Sequence, residues 1–400
     1  MAIKLSNRTI LIKPSPTLTL SAKAKEMSAA GIDVVNFGVG EPDFNTPEYI
    51  KKAAHQAIDD NFTRYTANPG IPELKNAICA KLLRENKLSY QPNQILVSPG
   101  AKASIVNILV AVYDFNDQVL MPMPYWVSYP YQAMLADAQP VYIPTLEEDS
   151  YKLTPAALSK AIGENPAAKV LILNSPSNPT GAVYTRSELE KLAEVCLKHN
   201  LLVVSDEIYE RLVYDGTEHV STASLSPEMQ EHTVVINGVS KAYAMTGWRL
   251  GYAAGPAHII AAAGRVQAHA TSCVNSITQK ACVTALNEED DSIEMMRKQF
   301  EQRRNFLYEE LSKLPHISCF KPQGAFYIMP NISWYLKNNK AGIQCSDEFC
   351  TQLLEKHHVA LVSGGSFGIE SNVRFSYANS MDNLRKGVSR FAAFLEELRA

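Results

Sequence analysis

The chain has 400 residues, 46% hydrophobic and 20% charged, with 38 Lys and Arg against 41 Asp and Glu for a net charge of −3. At roughly 150 residues per domain, that length carries one large unit or two to three smaller ones with a sizeable core, and the balance excludes a mainly disordered or collagen-like chain. The near-neutral charge offers no handle for nucleic acid or an anionic membrane, and no apolar run reaches the roughly 18 residues of a spanning helix.

Residues 1–8 lack the apolar core of a secretory leader. A Pro-containing entry (Pro14, Pro16), a helical stretch over 19–30 and the loop GVGEPD at 38–43 come next. Helical periodicity over 47–59 and 71–85 precedes a short apolar run at 94–97, and a helix is expected over 103–113. Further short runs stand at 118–121, 170–173, 201–204, 234–236 and 250–253, several separated by helical stretches such as 186–199. Short apolar strands alternating with helices predict an α/β fold with a mostly parallel sheet covered on both faces. From about residue 290 the pattern changes: a long charged helix (292–314), strand-like 324–329, a helix (347–356), strand-like 359–362 and 373–377, and a closing helix (381–398). The expected division is a large domain over 46–289 and a smaller α+β domain built from 1–45 with 290–400. Seven scattered cysteines (Cys79, Cys196, Cys273, Cys282, Cys319, Cys345, Cys350) match no disulfide framework or zinc spacing, and are expected to be reduced thiols in a cytoplasmic protein.

Ligands of open parallel sheets bind beyond the carboxyl ends of the strands. Each apolar run is followed there by polar or aromatic residues: SPGAK at 98–102, PYW at 124–126, NSPSNPTG at 174–181, SDEIY at 205–209 and NGVSK at 237–241. The turn at Gly100 and Ala101 opens a helix, whose free N–H groups suit a phosphate or simply make a strand–helix turn. Asp206 is either a helix N-cap or the partner of a buried cation. Lys241 is either a solvated strand-end lysine or a desolvated amine able to form a Schiff base. Trp126 is either core or a stacking face. Ser240 and Arg249 could grip phosphate. The chain has no GxGxxG, P-loop, GxSxG or HExxH motif, which weakens dinucleotide, nucleotide, hydrolase and zinc-protease readings. One cofactor unites the remaining features: pyridoxal 5'-phosphate needs a lysine, a carboxylate for its ring nitrogen, a stacking aromatic and phosphate donors. No metal is called for.

The blocks SDEIY at 205–209, NSPSNPTG at 174–181 and SKAYAMTGWRLG at 240–251 resemble the signatures of class I pyridoxal-phosphate aminotransferases of fold type I. KPSPT at 13–17, GEPDF at 40–44, Tyr65, PYWVSY at 124–129 and NVRFSY at 372–377 extend the resemblance nearly end to end. It is nearest the prokaryotic-type (subgroup 1b) aspartate aminotransferases, some of which also use prephenate. The resemblance implies a seven-stranded sheet in the large domain. It implies that Lys241 carries the cofactor and moves the Cα proton, that Asp206 holds the ring nitrogen, and that Tyr209 and Asn178 bond the ring hydroxyl oxygen. Trp126 would stack on the ring, and Gly100, Ala101, Ser240 and Arg249 would bind phosphate. Tyr65 would reach that phosphate from the neighbouring subunit of a homodimer. Arg374 would clamp the substrate α-carboxylate near Gly40, Lys102 with Thr17 would meet the second carboxylate, and Lys13 would mark prephenate use. Two departures stand out: Gly-Ala-Lys at 100–102 for the commoner Gly-Gly-Lys, and Pro-Ser-Asn-Pro at 176–179 for Pro-Asn-Asn-Pro.

The implied activity is ping-pong transfer of the amino group of L-aspartate to 2-oxoglutarate, with the smaller domain closing over the substrate. The rivals are aromatic amino acid, kynurenine or prephenate transamination, a β-lyase on the same fold, and a non-enzymatic regulator. The last would normally carry an added DNA-binding segment, and none precedes residue 14.

Overall fold

The computed structural model describes residues 3–12, 16–288 and 290–399. Its strands are β1 (Val35–Asn36), β2 (Ile95–Ser98), β3 (Gln118–Met123), β4 (Gln139–Pro144), β5 (Ala168–Asn174), β6 (Leu202–Asp206), β7 (Thr233–Gly238), β8 (Gly251–Ala254), β9 (Tyr327–Ile328), β10 (Val359–Ala360), β11 (Val362–Ser363) and β12 (Val373–Ser376). Seven of them form one sheet in the order β2-β8-β7-β6-β5-β3-β4. All pairings are parallel except those of β8, which runs antiparallel to both β2 and β7. This is the α/β class and the mostly parallel sheet that the alternation of short apolar runs and helices leads one to expect, with the seven strands that the family resemblance implies.

Six of the seven strands coincide with apolar runs; β4 does not. Its sequence QPVYIP contains Pro140 and Pro144, and most of it is accessible to solvent. Prolines are tolerated on a sheet edge, where their missing N–H groups face no partner strand, and β4 pairs only with β3 at the end of the sheet.

Alternation along each strand divides the core between the two faces. Val119, Met121, Val170 and Ile172 pack beneath the helices Ala101–Val112 and Ala257–Ala270. Leu120, Leu171 and Leu173 point the other way, onto the helices Pro155–Glu164 and Arg186–Lys198. The second of these starts with a capping box in which the Thr185 hydroxyl accepts from the Glu188 N–H and the Glu188 carboxylate accepts from the Thr185 N–H. The remaining strands make two small sheets, β1 parallel to β10 and β11-β12-β9 antiparallel.

Register aligns the carboxyl edge: Asn174 at the end of β5 sits opposite Asp206 at the end of β6, which sits opposite Ile236 of β7. The turn that follows Asp206 is anchored from behind. Lys81, on the helix Pro72–Asn86, is 2% exposed and donates to Glu210 and, at 2.8 Å, to the Asn86 Oδ1. Burial pushes the Glu210 carboxyl up, but Lys81, His219 and Asn86 outweigh it and hold it at about 2. Arg211 adds a bond to Glu85 at 3.1 Å. Because the folded-state value lies below the ordinary 4.5, this carboxylate contributes stability in full above that value and loses it as pH falls toward 2. Lys81→Met leaves a buried carboxylate without its cation, and is expected to remove about 3–5 kcal/mol from the stability measured by urea unfolding at pH 7. A loss below about 1 kcal/mol would contradict this role.

Candidate active site

At the end of β6, Asp206 is 4% exposed. One carboxylate oxygen accepts from the Tyr129 hydroxyl at 2.6 Å and the other from the Ile208 N–H at 3.3 Å. Burial raises its carboxyl to about 6; the two hydrogen bonds and the Lys241 charge work against that rise, and Glu207 adds to it. The carboxylate is thus desolvated and short of a full positive partner, the condition under which a cationic ligand is most strongly held.

Lys241 stands three residues beyond β7. Its Nζ donates to the Gly40 carbonyl at 2.6 Å. Burial lowers its ammonium to about 8; Glu41 and Asp206 push upward, while Arg374 and Arg249 push further down. The loop that supplies Gly40 is tied to the Lys241 loop three times more, by the Thr246 hydroxyl to Glu41 at 2.9 Å, by the Thr46 hydroxyl to the Ala244 carbonyl at 2.8 Å and by Trp248 Nε1 to the Thr46 hydroxyl at 3.1 Å.

Arg374, from β12, is 2% exposed. Its Nη1 donates to Asn178 Oδ1 at 2.9 Å and its Nη2 to the Gly38 carbonyl at 3.0 Å. The guanidinium lies between the rings of Tyr327 (4.3 Å) and Phe367 (4.9 Å), and Nε has no partner among the described residues. A buried guanidinium with an unused N–H and, among the described residues, no carboxylate paired with it has the shape and charge to receive one from a ligand. Asn178 is held in turn: its N–H donates to Asn174 Oδ1 at 2.7 Å, and Asn174 Nδ2 donates to the Asp206 carbonyl at 2.9 Å. One hydrogen-bonded chain therefore links the ends of β5 and β6 to Arg374.

The turn at 98–102 forms a cradle. Gly100 has φ 89° and ψ 156° and caps the helix Ala101–Val112 without any side-chain hydrogen bond, leaving its first N–H groups open. A Cβ at Gly100 would run into the Arg249 guanidinium, and one at Gly251 into the Ala101 nitrogen. Arg249, at φ 56°, is fixed by a bond from Nη1 to the Thr246 carbonyl at 2.8 Å, and Ser240 is buried beside Lys241. Open N–H groups at the turn and the Arg249 guanidinium against it are donors of the kind that suit a phosphate, and the buried Ser240 hydroxyl is a further donor of that kind.

Trp126 packs edge-on against Tyr129 with centroids 5.3 Å apart, and Lys102 Nζ lies 4.9 Å from its ring centre. Burial, then Arg249, lowers the Lys102 ammonium below its ordinary range. The Tyr209 hydroxyl is 3.0 Å from that of Tyr327. Direct contacts thus bring together most of the residues expected from the sequence: Lys241 with Gly40, Arg374 with Asn178, Arg249 with Gly100, and Lys102 with Trp126. Tyr65 is the exception, 93% exposed and outside the hydrogen bonds of this cluster. Lys13 lies outside the described residues, and so does the side chain of Thr17. Sequence reasoning overlooked Tyr129, Asn174, Glu41 and Tyr327. The first three stand inside motifs already quoted, so their positions were marked although no role was given to them.

Residues 32–391 match the family model described as aminotransferase class I and II. An aspartate aminotransferase of Geobacillus stearothermophilus is 48% identical over 98% of this chain and 99% of its own. An aspartate/prephenate aminotransferase of Cereibacter sphaeroides is 45% identical over 98% of each. The crystal structure of an aspartate aminotransferase from Rhizobium meliloti superposes with a TM-score of 0.95 at 40% identity, over 99% of this chain and 100% of that one. One from Thermus thermophilus with maleate gives 0.92 at 40% identity, over 98% and 100%. A strand-end carboxylate and a desolvated lysine at the edge of the main sheet, a buried arginine bonded to the loop beyond β5, and this similarity along the whole chain make the protein a member of the class I and II aminotransferase family.

Proposed function

We propose that the protein is a pyridoxal 5'-phosphate-dependent aspartate aminotransferase, moving the amino group of L-aspartate to 2-oxoglutarate to give oxaloacetate and L-glutamate in two alternating half-reactions. The observation that carries this reading is the convergence of Lys241, Asp206 and Arg374 at the carboxyl edge of the sheet, each desolvated and each open to a ligand group of matching chemistry.

The residues present fit this cofactor. Asp206 is a buried carboxylate suited to a protonated ring nitrogen. The turn at Gly100 and Ala101, with Ser240 and Arg249, suits a phosphate. Trp126 offers a ring face, and Tyr209 and Asn178 offer hydrogen bonds to a ring oxygen. Bound there, pyridoxal phosphate supplies an electron sink for charge that develops at the substrate Cα. Lys241 would hold it covalently through Nζ. With its ammonium already lowered to about 8, the same amine is suited to take the Cα proton and return it elsewhere, as general base and acid. Arg374 would orient the substrate through its α-carboxylate, beside the Gly40 backbone, so that the Cα–H bond faces Nζ. Lys102, with Thr17, would meet the side-chain carboxylate and so prefer dicarboxylates.

We extend the proposal to the assembly. Tyr65 projects into solvent, which suits a residue that reaches the phosphate of a second copy in a homodimer. The seven-stranded sheet lies wholly within residues 95–254, which supports 46–289 as the larger unit and 1–45 with 290–400 as the smaller. Seven unpaired cysteines support a reducing, cytoplasmic setting. Prephenate is a second reading, supported by the name of the 45% identical relative and by Lys13. Comparing kcat/KM with aspartate and prephenate as partners separates the two.

Lys102→Ala is expected to lower kcat/KM for aspartate about 10- to 100-fold, the worth of one charged hydrogen bond, and to leave alanine nearly unchanged. Equal losses would refute its assignment. Glu41→Gln removes the anion that most strongly supports the Lys241 ammonium. In cofactor-free protein, the pH at which Lys241 becomes half-reactive toward an acylating reagent is expected to fall, by less than about one unit because the interaction is screened. An unchanged or higher midpoint would contradict this.

A further inference from the structure

We infer that Tyr327 is a positioning residue with two jobs: its ring sets the plane of Arg374, and its hydroxyl turns the Tyr209 proton toward the cleft. The inference rests on the reading of the site as an aminotransferase centre, and gives a part to a residue that reading does not use.

Tyr327 opens the two-residue strand β9 and is 1% exposed. It pairs with Ser376 of β12, two residues from Arg374 on the same strand, and its ring lies 4.3 Å from the Arg374 guanidinium carbon. A flat cation against an aromatic face is held in orientation as well as attracted. Both Arg374 Nη groups are tied to Asn178 and Gly38, and the Tyr327 ring, the nearer of the two against the guanidinium, resists its tilting together with Phe367. On its other side, the Tyr327 hydroxyl crowds Gly40: a Cβ there would lie 2.9 Å from it. A single side chain thus touches the residue proposed to bind the α-carboxylate, the one proposed to serve the cofactor oxygen, and the loop that contacts Lys241.

The hydroxyl makes the argument specific. Buried tyrosines close by use theirs in the ordinary way, on a backbone carbonyl: Tyr214 and Tyr377 both donate to the Ala325 oxygen. Tyr327 instead meets another hydroxyl, that of Tyr209, at 3.0 Å. Each phenol has one proton to give. If Tyr209 donated to Tyr327, the Tyr327 proton would need another acceptor, and none is found among the described residues. If Tyr327 donates, its own proton is placed, and the Tyr209 proton, which likewise has no other acceptor among the described residues, is left for a ligand oxygen in the cleft. The charged and titratable groups facing Tyr209 are Asp206, Arg374, Tyr327, Tyr129 and Lys241, the last with Nζ 5.8 Å from the ring centre. Of these, only Tyr327 is hydrogen-bonded to the Tyr209 hydroxyl.

The test uses the cofactor-loaded protein and two readouts other than turnover. One is the pH titration of the visible absorbance of the cofactor–lysine linkage. The other is the dissociation constant of maleate, a dicarboxylate with no amino group to transfer. Tyr327→Phe keeps the ring and removes the hydroxyl. Tyr209 then becomes a poorer donor, the cofactor oxygen becomes more basic, and the linkage holds its proton to higher pH. The titration midpoint is expected to rise while maleate binds within about twofold of wild type. Tyr327→Leu removes the ring as well and is expected to weaken maleate about tenfold. An unmoved midpoint in Tyr327→Phe overturns the inference, as does a loss of maleate affinity in that variant equal to that in Tyr327→Leu. Because Phe is the closest isostere, the first of these outcomes stands even if the Leu variant does not fold. Wild-type protein with no pH-dependent absorbance would overturn the reading of Lys241 and this inference with it; a wild-type titration matched by Tyr327→Phe overturns this inference alone.

Discussion

A carboxylate and an amine taken out of water at one sheet edge are the constraint on which the rest of this structure depends. Burial moves Asp206 up to about 6 and Lys241 down to about 8, so the folded chain holds two ionisable groups displaced toward neutrality from opposite sides. Neither displacement is free: each reflects lost hydration that the protein replaces only in part, with one phenol and one amide for Asp206 and one carbonyl for Lys241. A ligand that brings a cation to the first and a carbonyl carbon to the second relieves both. The site is therefore best understood as an incomplete set of charges that a specific group completes.

The surrounding fold serves to keep that set in place. Parallel register sets Asn174 beside Asp206, and Asn174 then fixes the Asn178 backbone, whose side chain fixes Arg374. The small three-stranded sheet delivers Arg374 and Tyr327 from adjacent strands. A buried ion pair, Lys81 with Glu210, holds the turn that carries Tyr209. Glycine at 251 lets β8 lie against the Gly100–Ala101 backbone, and glycine at 100 leaves room for the Arg249 guanidinium. Each device is local, yet each is supplied by a different stretch of chain.

Much of this could be read from the sequence, and the reason is periodicity. Buried parallel strands are continuous apolar runs, so six strands of the main sheet were visible, and with them the positions just beyond their ends, where Asp206 and Lys241 stand. β4 was not, because an edge strand carrying Pro140 and Pro144 lacks such a run. The two small sheets were visible only as fragments: the single strand expected over 359–362 divides at Leu361 into β10 and β11, which join different sheets. Contacts between residues far apart in the chain left no local signal. Nothing near Lys81 announces Glu210, and nothing in GAFYIM at 324–329 announces that Tyr327 meets Tyr209, 118 residues away. Family resemblance filled part of that gap, but only for residues lying in recognisable motifs.

The central claim is that one particular amine carries the cofactor. Protein loaded with pyridoxal phosphate, reduced with borohydride, digested and mapped by mass spectrometry should carry the reduced adduct on the peptide containing Lys241. An adduct on a different lysine, or none at all, would contradict the account.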